Sequence, residues 1–487
     1  MKKHYLVIPF ACAGLTFGQM GRSLDWPTFN NDAQRSGWEK VDSRLTKEEV
    51  QKGSVKLLWK MQQKRSPSLM PPVLIGNLIG YRGFKELAFV GGSNDSLYVM
   101  DSDLNRLYWQ THLEPVIERP KSTPNCNGAM TAMPTMLSIG FRRPAGPRPA
   151  PGATPTAAAP AAPRPNPMFG PRSIYLITSD GLLHRLNVAN GSESSIPVQV
   201  VPAFSRTSTL NMNDGVIYTT TDRGCGGAPN AVWAIDLNNP DPTAAPAVTT
   251  FTTGAGNFLG LGGPVIGNDG TVYVQTGEGP GANSNSVLAL DPKTLTVKTS
   301  FTDPSAAAPA PKQDLNSATP VVFEHKGRDV IVSVGKDGRL YLNDAKSMNA
   351  KTPIAQTGKI VDGGIYGGLA TYMDGDTRYV LASVWGGKSG VVAYKLDDSG
   401  FTQAWMSREM VRPVPPVIAG NIVFALSSGG AHAVLYALDG ATGKEMWSSK
   451  TEVTAPGNLA AITVANGRIY FTTTDSTLWT YGMPLEW

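Results

Sequence analysis

The chain is organised as a series of short apolar strands separated by turns. Short runs rich in apolar, aromatic and β-branched residues recur along the chain, for example at 216–220, 271–274 and 468–471. Their β-branched content and the alternation along the chain predict strands, whereas a helix would repeat its apolar positions every three to four residues. Proline often opens a shorter apolar run ahead of each strand, as at 264–265 and 416–417. We therefore predict an all-β chain in which one strand unit is repeated.

The repeated unit is clearest at residues 436–447, where a strand ends in Asp439 and the next strand contains Trp447. The Asp carboxylate can accept N–H groups of the turn, and Gly443 can adopt a positive φ without steric cost. The large flat indole can wedge between neighbouring sheets. Seven weaker units are found at 98–101, 183–187, 233–236, 288–291, 340–343, 392–395 and 478–481.

These eight units predict an eight-bladed β-propeller of four-stranded antiparallel blades. From Asn187 onward the units recur at roughly the spacing of one propeller blade, about 45–55 residues. The last unit supplies only three strands, and an isolated strand at 56–61 has the character of a fourth strand. Pairing this N-terminal strand with the last unit would close the ring and remove two exposed sheet edges. Thr46 and Glu49 form a capping box that predicts a short helix just before it.

The domain prediction is a signal peptide at 1–18 followed by one propeller domain at 19–487. Lys2 and Lys3 precede a short apolar run, and residues 16–18 offer a small-x-small cleavage site. The alternative for this segment is a buried N-terminal strand. A Pro-, Ala- and Arg-rich insertion at about 141–172 interrupts the second unit and is predicted to be a disordered surface loop. The alternative is a proline-rich tether for a partner in the cell envelope.

Charge and hydropathy narrow the range of partners. The formal charge is +5, charged residues make up 17% of the chain, and the basic residues are scattered. A nucleic-acid partner is therefore not expected. No run after the signal peptide reaches the roughly 18 apolar residues of a membrane span. We expect a monomeric protein of the periplasm or the extracellular space.

The cysteines indicate where the protein is located and whether it is attached to a membrane. Cys12 follows Pro9-Phe10-Ala11, a poor sequence for lipid attachment, so lipoprotein anchoring is not expected. Cys126 and Cys225 remain after removal of the signal peptide, and in an oxidising compartment two cysteines can pair. Two separate buried thiols are the alternative. No histidine is spaced from another His or Cys as metal ligands are.

The repeat carries a family resemblance. The pattern Ala-x-Asp-x-x-Thr-Gly-x-x-x-Trp at 437–447 resembles the repeat of pyrroloquinoline quinone (PQQ) propellers, and residues 25–30 with 35–38 are similar to the N-terminal segment of that family. The family includes quinoprotein alcohol dehydrogenases and non-catalytic outer-membrane assembly propellers. Because both branches carry the repeat, the resemblance implies the architecture and leaves the activity open.

The resemblance also implies positions for a redox site. Glu278 stands where dehydrogenases of the family have a Ca²⁺-ligating Asn, Asp314 where they have the catalytic base, and Lys336 where a basic residue contacts the quinone. Asn316, two residues after Asp314, completes the candidate cofactor-binding set. In a dehydrogenase Asp314 would take the alcohol proton while Ca²⁺ polarises the quinone carbonyl.

Other features depart from that pattern. The stretch 223–230 lacks the Glu that would be the second calcium ligand, Cys126 has no adjacent cysteine, and no haem-attachment motif is present. Ordinary turns account for the candidate redox-site residues as well as a cofactor site does. Asp314 can cap a turn, 336–338 is a hairpin turn, and Glu278 is the tip of a loop. A third alternative is that they line the mouth of a pocket at the central channel.

Two functions follow from these observations. The first is a non-catalytic binding or scaffold module of the cell envelope, which binds an envelope protein or a small ligand on one face of the ring. The second is a PQQ- and Ca²⁺-dependent dehydrogenase that oxidises an alcohol or a sugar. The incomplete cofactor site favours the first.

Overall fold

The computed structural model describes residues 25–40, 42–80, 83–118, 120–123, 126–137, 172–239, 244–253, 256–279, 281–305, 318–348, 351–360 and 364–484. The predicted signal peptide at 1–18, including Cys12, lies outside these residues. The predicted insertion at 141–172 also lies outside them, except for its last residue. The assignments made for both segments therefore stay predictions.

Eight antiparallel sheets surround a common axis, which confirms the predicted eight-bladed β-propeller. Strands are counted from the axis outwards. Blade 1 contains Val73–Gly80, Gly83–Gly92, Ser96–Asp101 and Arg106–His112, and blade 2 contains Thr135–Met136, Ser173–Ile177, Leu182–Asn187 and Val198–Gln199. Blade 3 contains Asn211–Asn213 with Arg206–Thr207, Val216–Asp222, Ala231–Asp236 and Ala247–Thr252. Blade 4 contains Val265–Ile266 with Phe258–Leu259, Val272–Thr276, Ser286–Leu290 and Val297–Thr302.

Blades 5 to 8 repeat the arrangement, and all eight sequence units form third strands, as the repeat predicts. Blade 5 contains Val321–His325, Arg328–Val334, Leu340–Asp344 and Ala355–Gln356, and blade 6 contains Gly364–Asp374, Thr377–Trp385, Gly390–Asp397 and Gly400–Met406. Blade 7 contains Val417–Ala419, Ile422–Ser427, Val434–Asp439 and Glu445–Ser448. Blade 8 contains Thr463–Ala465, Arg468–Thr473, Thr477–Gly482 and, outermost, Lys56–Gln62.

The N-terminal strand closes the ring, as predicted. Lys56–Gln62 pairs antiparallel with Thr477–Gly482 and so becomes the fourth strand of blade 8. A short α-helix, Lys47–Gln51, precedes it, and the side chain of Thr46 accepts a hydrogen bond from the Glu49 N–H at its N-terminus. Within the described residues, no helix is long and apolar enough to span a membrane.

Neighbouring blades are joined by the Trp and Gly of the repeat. The Trp405 indole N–H, on the outermost strand of blade 6, donates to Gly440 O in blade 7 at 2.6 Å. The Trp109 indole N–H of blade 1 donates to Val188 O in blade 2 at 3.0 Å. In the blade 7 turn, Gly443 has φ +70°, and a Cβ added there would lie 2.5 Å from the Trp405 ring. Gly191 of blade 2 has φ +73°, and a Cβ added there would lie 2.7 Å from the Trp109 ring, so in both pairs the Trp of one blade packs against a glycine turn of the next.

Residues 25–40 run through the centre of the ring, and we call this segment the axial plug. It ends in a short strand, Trp38–Glu39, that pairs parallel with the first strand of blade 7. Hydrogen bonds connect it to seven blades in turn: Trp26 with Leu74, Pro27 with Met136, Thr28 with Leu210, Ala33 with Ile266, Gln34 with Val322, Ser36 with Thr371 and Gly37 with Ile418. The plug thereby satisfies backbone groups of the innermost strands, which have no further strand to pair with.

Arg35 is the centre of the plug. Its side chain is fully buried, and its guanidinium donates to Thr28 Oγ1 at 2.7 Å and to Phe29 O at 2.9 Å. It also donates to Leu210 O at 3.2 Å in blade 3 and to Gly262 O at 2.6 Å beside blade 4. Burial lowers the pKa of Arg35 to about 9, although the Asp32 carboxylate opposes the shift. The planar fork of donors thus ties the plug to two blades at once.

Candidate functional site

Two of the candidate cofactor-site residues lie side by side on one face of the ring. We call this the upper face; it carries the loops that enter each first strand and the loops that join second to third strands. Glu278 lies in the second-to-third loop of blade 4 and Lys336 in that of blade 5. Lys336 Nζ forms an ion pair with Glu278 Oε1, and the two side chains are 12% and 59% exposed, respectively. The backbone N–H of Lys336 donates to Asp303 Oδ2 at 2.6 Å.

Asp314 and Asn316, the candidate base and its neighbour, lie outside the described residues. Their assignment to a redox site stays a prediction.

The surroundings of Glu278 do not fit a calcium ion. Ca²⁺ takes six to eight oxygen ligands, usually with several carboxylates among them. The near partner of the Glu278 carboxylate is the Lys336 ammonium, which repels a cation. Nowhere in the described residues do three His, Cys, Asp or Glu side chains come together as metal ligands do. We therefore derive no reaction step through a metal at this position.

A cavity of about 390 Å³ opens on the upper face next to the axis, and we call it the axial pocket. It is lined by the loops that enter blades 1, 2, 3, 4 and 8, together with parts of the second-to-third loops and strands. Its floor is the ring of Phe29 from the axial plug, beside Phe258 and Leu261. Gly262 is needed there, because a Cβ at this position would lie 2.7 Å from the Phe29 ring.

The walls of the pocket are joined to each other by side chains. Thr131 Oγ1 donates to Thr207 O at 2.9 Å and so connects the loops entering blades 2 and 3. Thr209 Oγ1 donates to Leu261 O at 2.9 Å, which connects blades 3 and 4. Asn458 Nδ2 donates to Leu69 O at 3.1 Å, which connects blades 8 and 1. These bonds fix the shape of the pocket, as is common in preformed ligand sites.

Charge in the pocket is confined to one side. Arg206 and Asp222 are the charged residues among those that line it, and Arg206 Nη1 lies 3.4 Å from Asp222 Oδ2. Arg223 Nε lies 3.9 Å from the same carboxylate oxygen. The other polar lining groups are hydroxyls and amides. The pocket therefore combines apolar groups with neutral hydrogen-bonding groups and one side formed by an ion pair.

The two cysteines meet at the rim of this pocket. Cys126 lies in the loop entering blade 2, Cys225 in the second-to-third loop of blade 3, and the structure joins them in a disulfide bond. Asn127, the next residue after Cys126, lines the pocket. The disulfide therefore connects the loops of two blades next to a residue that lines the cavity.

The sequence suggested a pocket at the central channel, but Glu278 and Lys336 are not among the residues that line the axial pocket, and none of its lining residues was predicted. Met130, Arg206 and Asn458 are far apart in the chain and carry no motif. The one available signal was the position of each loop just before a proline-opened first strand, since loops at this end of every blade converge on the axis. The sequence did single out Cys126, and the structure places it at the rim.

Comparison with known proteins gives one family match and many similar folds. Residues 387–482, which span blades 7 and 8 and the end of blade 6, match the family model described as "Outer membrane protein assembly factor BamB". No curated protein matches the sequence significantly.

The similar solved structures include dehydrogenases and an assembly factor. The quinohemoprotein alcohol dehydrogenase from Comamonas testosteroni has a TM-score of 0.62 at 15% identity, over 95% of this chain and 82% of that one. Quinohemoprotein alcohol dehydrogenase ADHIIG from Pseudomonas putida HK5 has a TM-score of 0.63 at 13% identity, over 94% and 80%. BamB from Moraxella catarrhalis has a TM-score of 0.53 at 13% identity, over 89% and 99%. At these identities the likeness concerns the fold alone.

Proposed function

Since the chain is a β-propeller of the PQQ-repeat type, we propose that it is a non-catalytic binding module of the cell envelope, with the axial pocket as its binding site. The observation that carries this proposal is the cavity of about 390 Å³ next to the axis, with Phe29 of the axial plug in its lining. Ligand pockets in proteins are commonly of this order, about 300–1,000 Å³. A small polar molecule, or the side chains of a short peptide, would fill it.

The chemistry of the walls supports binding. Hydroxyl and amide groups such as those of Thr131 and Asn458 can orient a ligand, and Phe29 and Phe258 give it an apolar surface to rest on. Arg206 already interacts with Asp222, so its charge is balanced before any ligand arrives. A pocket of this kind selects ligands by shape and hydrogen bonding.

Three observations support a location in the envelope. The family model that matches blades 7 and 8 is named for an outer-membrane assembly factor. The Cys126–Cys225 disulfide suits an oxidising compartment, where such bonds persist. The sequence at 1–18 has the form of a signal peptide. An envelope protein that inserts a peptide into the pocket is one partner consistent with them.

The test is a binding screen on the purified mature chain. Sugars, amino acids, short peptides and PQQ with and without Ca²⁺ are titrated by calorimetry. Ala460 lines the pocket, so Ala460→Trp fills part of the cavity; Ala441→Trp makes the same change on an exposed turn of blade 7. We expect a stoichiometric ligand whose affinity falls at least about tenfold in Ala460→Trp, a change of about 1.4 kcal/mol. Ala441→Trp should leave binding unchanged.

The competing hypothesis is decided in the same experiment. In a dehydrogenase, Glu278, Asp314, Asn316 and Lys336 would serve PQQ and calcium. Tight stoichiometric binding of PQQ that requires Ca²⁺, followed by dye-linked oxidation of an alcohol or sugar that Asp314→Ala abolishes, would contradict the non-catalytic proposal. Equal ligand affinity in both tryptophan variants would show that the axial pocket is not the binding site.

A further inference from the structure

The disulfide at the pocket rim joins two loops, and the blade 3 side is firmly packed. Cys225 is 2% exposed and begins a single 3-10 turn, Cys225–Gly227. Gly226 has φ +64° and lies against the loop entering blade 3, so that a Cβ there would be 2.0 Å from Ala203 O. Ala228 N–H closes the turn by donating to Cys225 O at 3.1 Å. The Cys225 side therefore serves as a fixed anchor.

The blade 2 side is bonded mainly to itself. We call residues 126–129 the rim segment. Cys126 exchanges backbone hydrogen bonds with Thr123, and Ala129 N–H donates to Asn127 Oδ1 at 3.2 Å. Within the described chain, the next hydrogen bond to another loop is donated by Met130 N–H, one residue beyond the rim segment, to Ser93 O at 3.3 Å. Among the described residues the disulfide links residues 126–129 to blade 3, and the next link, Thr131 Oγ1 to Thr207 O at 2.9 Å, follows two residues later.

The rim segment is part of the pocket. Asn127 lines the cavity, and it is followed by the lining residues Met130 and Met133. Both methionines are almost fully buried, at 2% and 4% exposure. Met130 and Met133 follow the rim segment closely in the sequence. A displacement of that segment would therefore expose their side chains and widen the opening of the axial pocket.

We propose that the Cys126–Cys225 disulfide is a redox latch that holds the rim segment over the axial pocket and so controls ligand access. The proposal rests on the axial pocket being the binding site. Cys126 is partly exposed while Cys225 is buried, so a reductant reaches the Cys126 sulfur first. A dithiol, such as that of a thioredoxin-like protein, attacks Cys126 Sγ as a thiolate, and Cys225 leaves as a thiolate and is protonated. The second thiol of the reductant then releases Cys126; two electrons and two protons pass to the protein, and the dithiol becomes a disulfide.

The first test needs no ligand. Hydrogen exchange of the mature chain is followed with and without dithiothreitol. We expect amides of residues 126–129, which precede the Thr131–Thr207 hydrogen bond, to exchange at least about tenfold faster after reduction, which corresponds to about 1.4 kcal/mol of easier local opening. Amides of Ser96–Asp101, a buried strand of blade 1, are the internal control and should not change. Removal of the reductant and air oxidation should restore the slow rate.

A thiol-free variant gives a second measurement. In Cys126→Ser with Cys225→Ser, hydrogen peroxide should oxidise Met130 and Met133 to sulfoxides at least about tenfold faster than in the oxidised wild-type chain. Met100, which is 4% exposed and lies in the core of blade 1, should oxidise at the same rate in both.

Three outcomes would overturn the latch: equal exchange in both redox states, acceleration throughout the chain including the control strand, or a disulfide that dithiothreitol fails to reduce in the folded protein. None of these depends on a ligand. A latch that responds to reduction while the screen finds no pocket ligand would count against the proposed function alone.

Discussion

At the scale of single residues, the repeat depends on the fit between a tryptophan and a glycine of different blades. Gly443 is required twice: its φ of +70° is in the left-handed region, and its Cα faces the Trp405 ring. Asp439 completes the turn, since its Oδ1 accepts the N–H groups of Ala441 and Thr442, both at 3.0 Å. One sequence motif therefore encodes both a turn and a docking surface for the preceding blade.

Gly443→Ala should lower the free energy of unfolding more than a glycine-to-alanine substitution whose only penalty is the left-handed backbone conformation. Gly420, in the same blade, has φ +55° and nothing within 4 Å of an added Cβ, so Gly420→Ala is the matched control. The control should cost about 1 kcal/mol for the left-handed conformation. Gly443→Ala should lower the free energy of unfolding by a further 1–3 kcal/mol, roughly the effect of overpacking against Trp405. Urea denaturation measures both, and equal costs would show that the Trp contact contributes nothing.

At the scale of elements, the seam between the first and last blades contains a buried charged cluster. Arg468, on the second strand of blade 8, forms an ion pair with Glu86 on the second strand of blade 1 and donates to Asp103 Oδ1 at 2.9 Å. Tyr470 Oη donates to Glu86 Oε1 at 2.8 Å. Burial raises the pKa of Glu86 to about 7, although Arg468 and Tyr470 favour its charged form. The seam is therefore sensitive to pH.

The stability of the ring should fall as the pH rises towards 7. Folded Glu86 keeps its proton up to about pH 7, whereas in the unfolded chain it loses the proton near 4.5. Its contribution is thus complete below pH 4.5 and is lost as the pH rises through 7, by about 3 kcal/mol at most. Glu86→Gln should remove this part of the pH dependence between pH 4.5 and 8, as measured by denaturation at each pH.

The control for this experiment is Glu445→Gln. Glu445 forms an ion pair with Arg408 at the protein surface, where both side chains are substantially exposed. Exposed pairs contribute little to stability, so this variant should follow the wild-type pH profile. A Glu86→Gln profile parallel to that of the wild type would mean that Glu86 is charged throughout this range.

At the scale of the whole molecule, two N-terminal segments make the ring a single unit. Lys56–Gln62 closes it at the circumference, and the axial plug connects seven blades at the centre. The plug also contributes Phe29 to the lining of the axial pocket. The same segment thus connects the blades and forms part of the proposed binding site.

Arg35→Met should destabilise the whole ring. The substitution keeps much of the side chain's length but leaves the carbonyls of Phe29, Leu210 and Gly262 without their donors. Buried acceptors that lose a charged partner cost roughly 1.5–3 kcal/mol each and are not additive, so we expect a loss of at least about 3 kcal/mol. Arg185→Met, on an exposed position of blade 2, should change stability by less than about 0.5 kcal/mol. Similar midpoints for the two variants in urea would contradict the role of the plug.

The sequence by itself determined the strands, the number of blades and the closure of the ring. Strand alternation and the Asp439–Gly443 turn depend on residues a few positions apart, and Trp447 recurs at a constant distance from them, so the pattern can be read along the chain. The fourth strand of blade 8 was also visible, because the last unit lacked one. The resemblance placed residues 25–30 in a family-specific segment, but nothing in them showed that they fill the channel.

Only the tertiary structure decided where the axial pocket, the proposed binding site, is formed. The axial pocket brings together loops from five blades, and the disulfide joins residues 99 positions apart. Glu278 and Lys336, two residues of the predicted cofactor site, pair with each other on the upper face. Such contacts depend on how the blades are arranged around the axis, and local periodicity carries no information about them. A repeated motif therefore specifies the ring, while the loops between the motifs, which differ from blade to blade, form the site.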